Sequence, residues 1–298
     1  MSLAEWVDEV RPGPKLERMA RAIGIGLFAV DDINDASAWE CFKFLSRVVS
    51  RGHAIGYPAG GWRAVIDALR RPIDESDGAE LRLSSRVEEI EVKGGRAAGV
   101  RLADGEKLSA ETVVWAAPVQ ALPAALPAGS LDKEAEKFFL GMRSTFGVNV
   151  DFALRKPVSR EKRCIVTLDP PTLGWFVSNV EPSVAPRGKQ LLTVFSPISP
   201  EDWPDRKFRD KRRDALRDTC FAMFPEIENE VLWERPLDTL VNAARGDTGQ
   251  TSRLRPGHTV DGVDGLLLIG DSTGGRGFGG EISADSALRV FKMLEKAG

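Results

Sequence analysis

Cysteine and histidine are scarce in this 298-residue chain. There are three cysteines, Cys41, Cys164 and Cys220, and two histidines, His53 and His258. The cysteines are odd in number and scattered, with no C-x-x-C pair. That excludes a disulfide scaffold and points to a reduced, cytoplasmic compartment. Without a Cys/His cluster a zinc site has no ligand set, so no metal is expected. Basic charge is also not in excess: 41 Lys and Arg face 44 Asp and Glu, a net charge of −3. The electrostatic footprint of a nucleic-acid binder is therefore missing. The longest uncharged stretch, Thr112 to Leu131, contains Pro118, Gln120, Pro123 and Pro127, which excludes a membrane-spanning helix. Glu5, Asp8 and Glu9 at the start argue against a signal peptide.

What is present is an ordinary globular balance, 42% hydrophobic and 29% charged, enough for a sizeable core in one large domain or two smaller ones. Residues 1–51 carry apolar positions at three- and four-residue spacing, including Leu16, Met19, Ile23 and Leu27, and read as helical. Trp62 to Leu69 follows as a short amphipathic helix. Leu81 to Leu83 and Val87 to Val92 have strand character, Lys93-Gly94-Gly95-Arg96 is a hairpin turn, and Ala98 to Leu102 returns. The apolar run Thr112 to Ala117 suits a strand buried on both faces. Four further strands are expected at Thr145 to Leu154, Cys164 to Leu168, Gly174 to Val180 and Gln190 to Phe195. Lys207 to Phe224 reads as a charged amphipathic helix.

The end of the chain carries the sharpest signal. Gly265 to Gly270 is a buried-strand pattern that delivers Asp271, a glycine-rich run reaches Gly280, and a helix from Ile282 places Ala284, Ala287, Leu288, Phe291 and Leu294 on one face. Gly275-Arg276-Gly277-Phe278-Gly279-Gly280 matches G-x-G-x-x-G, but a dinucleotide fingerprint needs a second strand with an acidic residue about 20 residues on. One helix alone follows, so this is not the ADP-binding turn. Instead a strand brings a carboxylate to its carboxyl end, glycines let backbone approach a ligand, and the helix aims its positive dipole end at an anion or an electron-rich carbonyl.

Leu268-Ile269-Gly270-Asp271-Ser272-Thr273 with Gly279-Gly280-Glu281 resembles the C-terminal FAD motif of the flavin amine oxidase and phytoene desaturase superfamily. Tyr57-Pro58-Ala59-Gly60-Gly61-Trp62 is similar to that family's tyrosine-proline-glycine-glycine segment, and 78–118 to its second FAD-domain segment. The resemblance implies an α/β (mixed α+β) fold: an incomplete Rossmann-like FAD-binding domain plus a substrate domain of mixed or antiparallel sheet and helices. It implies the divisions 1–56 (helical part of the substrate domain), 57–118 (FAD domain), 119–240 (substrate domain) and 241–298 (FAD domain). By the same resemblance Gly270 and Asp271 face the ribityl chain or phosphates of FAD, and the backbone of Gly279, Gly280, Glu281 and Ile282 faces the pyrimidine end of the isoalloxazine. Val87 presents backbone to the adenine, and Ala116, Ala117 and Pro118 lie near the cofactor. The family's opening βαβ unit, with its true G-x-G-x-x-G, has no counterpart, so the chain is expected to be N-terminally truncated and to bind FAD poorly or not at all alone.

The expected activity is FAD-dependent removal of hydride from a C–N or C–C bond of an amine or apolar small molecule, with no catalytic side chain assigned. A non-catalytic remnant that self-associates, or a partner segment that fills the gap, is the alternative. Trp62, Trp175, Trp203 and Trp233 either line an apolar cavity or pack the core. Arg276 either meets an anion or faces solvent, and His258 is either an acid/base group or a surface residue of the turn Arg255-Pro256-Gly257-His258.

Overall fold

The helical spacing at the start of the chain becomes three helices in the computed structural model, which describes residues 1–51, 56–277 and 279–297. They are α1 (Leu3–Val10), α2 (Pro14–Phe28) and α3 (Ala38–Arg51); His53 and Phe278 lie outside the described residues. Ser2 caps α1 in a reciprocal box with Glu5, at 2.7 and 3.0 Å, and so satisfies two helix-end donors. The chain continues through α4 (Gly61–Asp74), β1 (Val87–Lys93), β2 (Arg96–Leu102), β3 (Lys107–Ser109), β4 (Val113–Trp115), α5 (Leu122–Ala125), α6 (Lys133–Gly141) and β5 (Thr145–Leu154). Then come β6 (Ile165–Leu168), β7 (Pro171–Trp175), α7 (Val177–Val180), β8 (Gln190–Ile198), α8 (Arg206–Met223), α9 (Ile227–Glu230), β9 (Val231–Asn242), β10 (Leu266–Leu268) and α10 (Gly280–Ala297).

The chain divides into two compact units. The first comprises Met1–Leu81 and Thr145–Val241, built on a five-stranded sheet in the order β6-β7-β8-β5-β9. Alternation along β5 sends Val148, Val150, Phe152 and Leu154 to one face. There they join Leu192 and Val194 of β8 and Leu216 and Cys220 of α8 in a buried core, the one-sided burial typical of antiparallel sheets. On the other face a Cβ at Gly147 would meet the Phe195 ring at 2.0 Å, so only glycine lets that ring lie across β5. α4 belongs to this unit because its start is anchored there: the N–H of Gly60 donates to Glu181, and a Cβ at Gly61 would touch Val184 at 3.2 Å.

The second unit comprises Arg82–Ser144 and Asn242–Gly298. β1, β2 and β3 form one antiparallel sheet. Gly94 and Gly95 turn the first hairpin at φ +59° and +77°, the left-handed pair a tight two-residue turn requires. β4 and β10 form a separate parallel pair, Val113 to Trp115 against Leu266 to Leu268. Ile90, Val119, Leu122, Phe139, Val263, Leu266 and Leu268 make one core. That packing places 119–144 in this unit, and α4's anchor places 57–81 in the other. The compact divisions therefore fall after Leu81 and Ser144, not after residues 56 and 118.

The mixed α/β class stands, with corrections inside it. Leu81 to Leu83 is not a strand; Arg82 reaches out to Glu106 instead, at 2.7 Å. The run at 112–117 yields only three strand residues, and Val114 is 40% exposed, so it is not buried on both faces. The strand expected at 174–180 ends at Trp175 and turns into α7. In α10 the buried stripe is Ile282, Ser286 and Val290, while Leu288 and Phe291 are 61% and 57% exposed; the helix is apolar on two faces, and the narrower one packs inward. No helix among the described residues is long and apolar enough to cross a membrane.

Candidate functional site

The site candidate is the end of β10 and the start of α10, both in the second unit. β10 is buried throughout, and its carboxyl end is held by Ile269, whose N–H donates to Trp115 O at 3.0 Å. Gly270 then leaves the strand at φ +112°, a conformation that side-chain-bearing residues avoid. Its N–H donates to Ser286 Oγ of α10 at 2.9 Å, and Thr273 Oγ1 closes the turn onto Gly270 O at 2.8 Å. Gly277 and Gly279 also take positive φ, +108° and +50°. Gly280 opens α10, and no atom of the described residues comes within 4 Å of where a Cβ would stand. Backbone is thus bared beside a carboxylate and a helix amino end.

Asp271 is that carboxylate. Its Oδ2 accepts from Ala243 N–H at 2.9 Å, and its own N–H and that of Ser272 support it further. Burial nonetheless pushes its pKa above the usual carboxylate value, against the pull of these N–H groups and of the Arg255 charge. Arg255 is buried and fixes the backbone here: Nη1 donates to Asp271 O and Nε to Gln250 O, both at 2.9 Å. Gln250 in turn spans Arg143 O and Arg245 O, at 2.6 and 2.8 Å. Asp247 folds back onto Gly249 and Gln250 N–H groups, and burial raises its pKa too. This bracket at 243–255 escapes sequence reading because no motif marks it. Its signal is the density of Arg, Asp and Gln just ahead of an apolar strand.

Of the residues singled out from sequence, Gly270, Asp271, Gly279, Gly280, Glu281 and Ile282 lie along this one turn, and Ile282 is buried beneath it. Ala116, Ala117 and Pro118 follow β4, the strand paired with β10. Val87 stands apart, opening β1 in the three-stranded sheet. The side chain of Arg276 is 79% exposed and pairs with Asp285 at 3.3 Å. His258 is not a free surface residue: its Nδ1 lies 3.1 Å from Leu268 O and its carbonyl accepts Leu268 N–H at 3.0 Å. In the first unit, Trp62 projects from α4 largely exposed. Trp175 and Trp233 share one face of the five-stranded sheet, because Glu234 of β9 points the other way, to Arg217 of α8.

The chain matches the family described as "Flavin containing amine oxidoreductase" over residues 9–288. It is 24% identical to the chloroplastic prolycopene isomerase of Daucus carota, over 73% of this chain and 40% of that protein. It is 28% identical to the zeta-carotene-forming phytoene desaturase of Myxococcus xanthus, over 74% and 49%. The chain spans half or less of the length of these relatives. The crystal structure of an oxidoreductase from Methanosarcina mazei superposes with a TM-score of 0.79 at 22% identity, over 98% of this chain and 68% of that one. With the strand–glycine–helix turn in place and the match running almost from end to end, the chain belongs to the flavin-containing amine oxidoreductase family.

Proposed function

We propose that this chain serves FAD-dependent oxidation, the removal of hydride from a C–N or C–C bond of an amine or apolar small molecule. The observation that carries the reading is Asp271, a carboxylate fixed on backbone N–H groups where glycines bare the chain. These residues fit a flavin. Asp271 would accept from ribityl hydroxyls, the backbone of Gly279 to Ile282 would border the isoalloxazine, and Ala116 to Pro118 would flank it. FAD supplies the hydride acceptor, and the protein positions and tunes it. The amino end of α10 favours negative charge nearby. Relatives named for prolycopene and phytoene support an apolar substrate; the family description supports an amine.

Among the described residues β4 and β10 have no βαβ unit beside them, so in this reading the chain grips only the riboflavin half of the cofactor. Fluorescence titrations with riboflavin and FAD test this. The expected result is weak binding of both, with dissociation constants within about threefold, and loss of both on Asp271→Ala. Binding of neither would overturn the flavin reading; FAD bound far more tightly than riboflavin would overturn the half-site. A second reading, a self-associating binding module, is favoured by the exposed apolar stripe of α10, Leu288, Phe291 and Leu294. A light-scattering mass of one chain would remove it.

A further inference from the structure

Ala243, in the second unit, is pinned from both sides. Its N–H donates to Asp271 Oδ2 at 2.9 Å. Its carbonyl accepts from Gln120 Nε2 at 2.6 Å and from Ser144 Oγ at 3.1 Å. Gln120 Nε2 also reaches Ser144 Oγ at 3.0 Å. Ala243 is buried, so its backbone groups depend on these partners.

Gln120 stands on a fixed base. Pro118 ends the apolar run after β4, and Val119 to Ala121 make a single 3-10 turn. Ala121 N–H closes that turn on Pro118 O at 3.0 Å, and Trp115 Nε1 donates to the same oxygen at 3.3 Å. On either side of Gln120 in the turn, Val119 and Leu122 are fully buried in the core of this unit. The Gln120 side chain therefore leaves the segment that follows β4 and ends on the residue that holds Asp271.

The orientation of the Gln120 amide follows from its neighbour. Ala243 O can only accept, so the atom 2.6 Å away is the nitrogen. Oε1 then points into buried space, with no hydrogen-bond partner among the described residues. A buried carbonyl oxygen without a donor costs stability, and an apolar side chain of the same length avoids that cost. Ser144 Oγ would still serve Ala243 O in its place. Stability alone therefore does not call for glutamine here; fixing Ala243 beneath Asp271 does.

We propose that Gln120 is a positioning residue for Asp271. It acts through Ala243: by holding the carbonyl it fixes the N–H on which the carboxylate rests. It also ties the exit of β4, at 116–118, to the exit of β10, at 269–271. The inference rests on the reading of this turn as a flavin site, and it adds the residue that joins the two sides of that site.

Gln120→Met, which keeps the length and removes the donors, tests it in the full 298-residue chain. Riboflavin should bind about tenfold more weakly in fluorescence titrations, equivalent to ~1.4 kcal/mol, while the urea midpoint stays near the parent's. A second readout needs no flavin. The Ala243 N–H pulls the Asp271 pKa down against burial, alongside the Arg255 charge and the N–H groups of Asp271 and Ser272. Loosening Ala243 lets that pKa rise further. The gain in stability from Asp271→Asn, followed against pH in thermal melts, should therefore level off about one pH unit higher in the Gln120→Met background than in the parent. If Gln120→Met folds poorly, Gln120→Asn, one methylene short of Ala243 O, should give the same two shifts. An unchanged pH profile would overturn the positioning role, and so would riboflavin affinity equal to that of a riboflavin-binding parent. A parent chain that binds no riboflavin refutes the flavin reading alone, because the pH profile still decides the role of Gln120.

Discussion

Replacing Arg255 by methionine removes hydrogen bonds from a charged donor, among them a part-buried one to Asp271 O and a buried one to Gln250 O. Bonds of that kind are worth about 1.5–3 kcal/mol each. Methionine recovers part of the packing, so a net loss of about 3 kcal/mol is expected. The damage should be local. Asp271 holds Ala243 N–H, and Gln250 holds the Arg143 and Arg245 carbonyls, so the 243–271 bracket should open more often while the five-stranded sheet does not. Hydrogen exchange resolved by mass spectrometry reads this directly: peptides covering Ala243 and Ile269 should exchange about a hundredfold faster, and β5 and β8 at the parent rate. Because Arg255 donates to the backbone carbonyl of Asp271, combining Arg255→Met with Asp271→Asn should give nearly additive changes in stability, a loss from the first and a gain near neutrality from the second, with a coupling below about 1 kcal/mol. Unchanged protection at 243–271 would refute the bracket. A larger coupling would mean that charge attraction, not the carbonyl bond, holds the site.

Gly99→Ala should disrupt the three-stranded sheet, because a Cβ there would lie 2.1 Å from Leu108 O at a φ of +140°; a loss of about 3 kcal/mol is expected, and a parent-like urea midpoint would contradict it. Asp271→Asn should stabilise the ligand-free chain near neutrality. Burial raises the Asp271 pKa in the folded state above the ordinary aspartate value of 3.8. The group's favourable contribution is therefore full below that value and lost as pH rises through the folded pKa. The variant should gain on the parent as pH climbs from about 4 to 7 in thermal melts, and a constant difference would sink the assignment.

Strong local patterns were legible. β5 has the bounds its alternation predicts, α8 stops before Pro225, and the Gly94-Gly95 hairpin takes the expected turn. β9 left no signal because its polar residues are spent on partners distant in sequence: Glu234 on Arg217, Asp238 on Arg209 and Arg213, and Arg235 on Asp151. Those pairs erase the period-two apolar pattern, and Pro236 is tolerated because β9 is an edge strand. In α10 the wider apolar face, with Leu288 and Phe291, is exposed, whereas Ser286 sits in the buried stripe to meet Gly270. The glycine turn was legible because glycine itself is the signal. The Arg255–Gln250 bracket behind it was not, since its bonds run to backbone carbonyls that sequence does not label.

The parallel pairing of β4 with β10 also sets an order of events during synthesis. Val113 to Trp115 leaves the ribosome long before Leu266 to Leu268, with all of 145–241 made in between. β1, β2 and β3 pair locally and can close at once, but Val119, Leu122 and Phe139 must wait for Val263, Leu266 and Leu268 to complete their core. Closing so long a loop costs entropy before any contact is gained. The nascent second unit therefore exposes apolar surface until the last stretch of chain emerges, and its yield in cells should depend on chaperones and on translation rate more than that of the first unit, whose sheet is finished earlier.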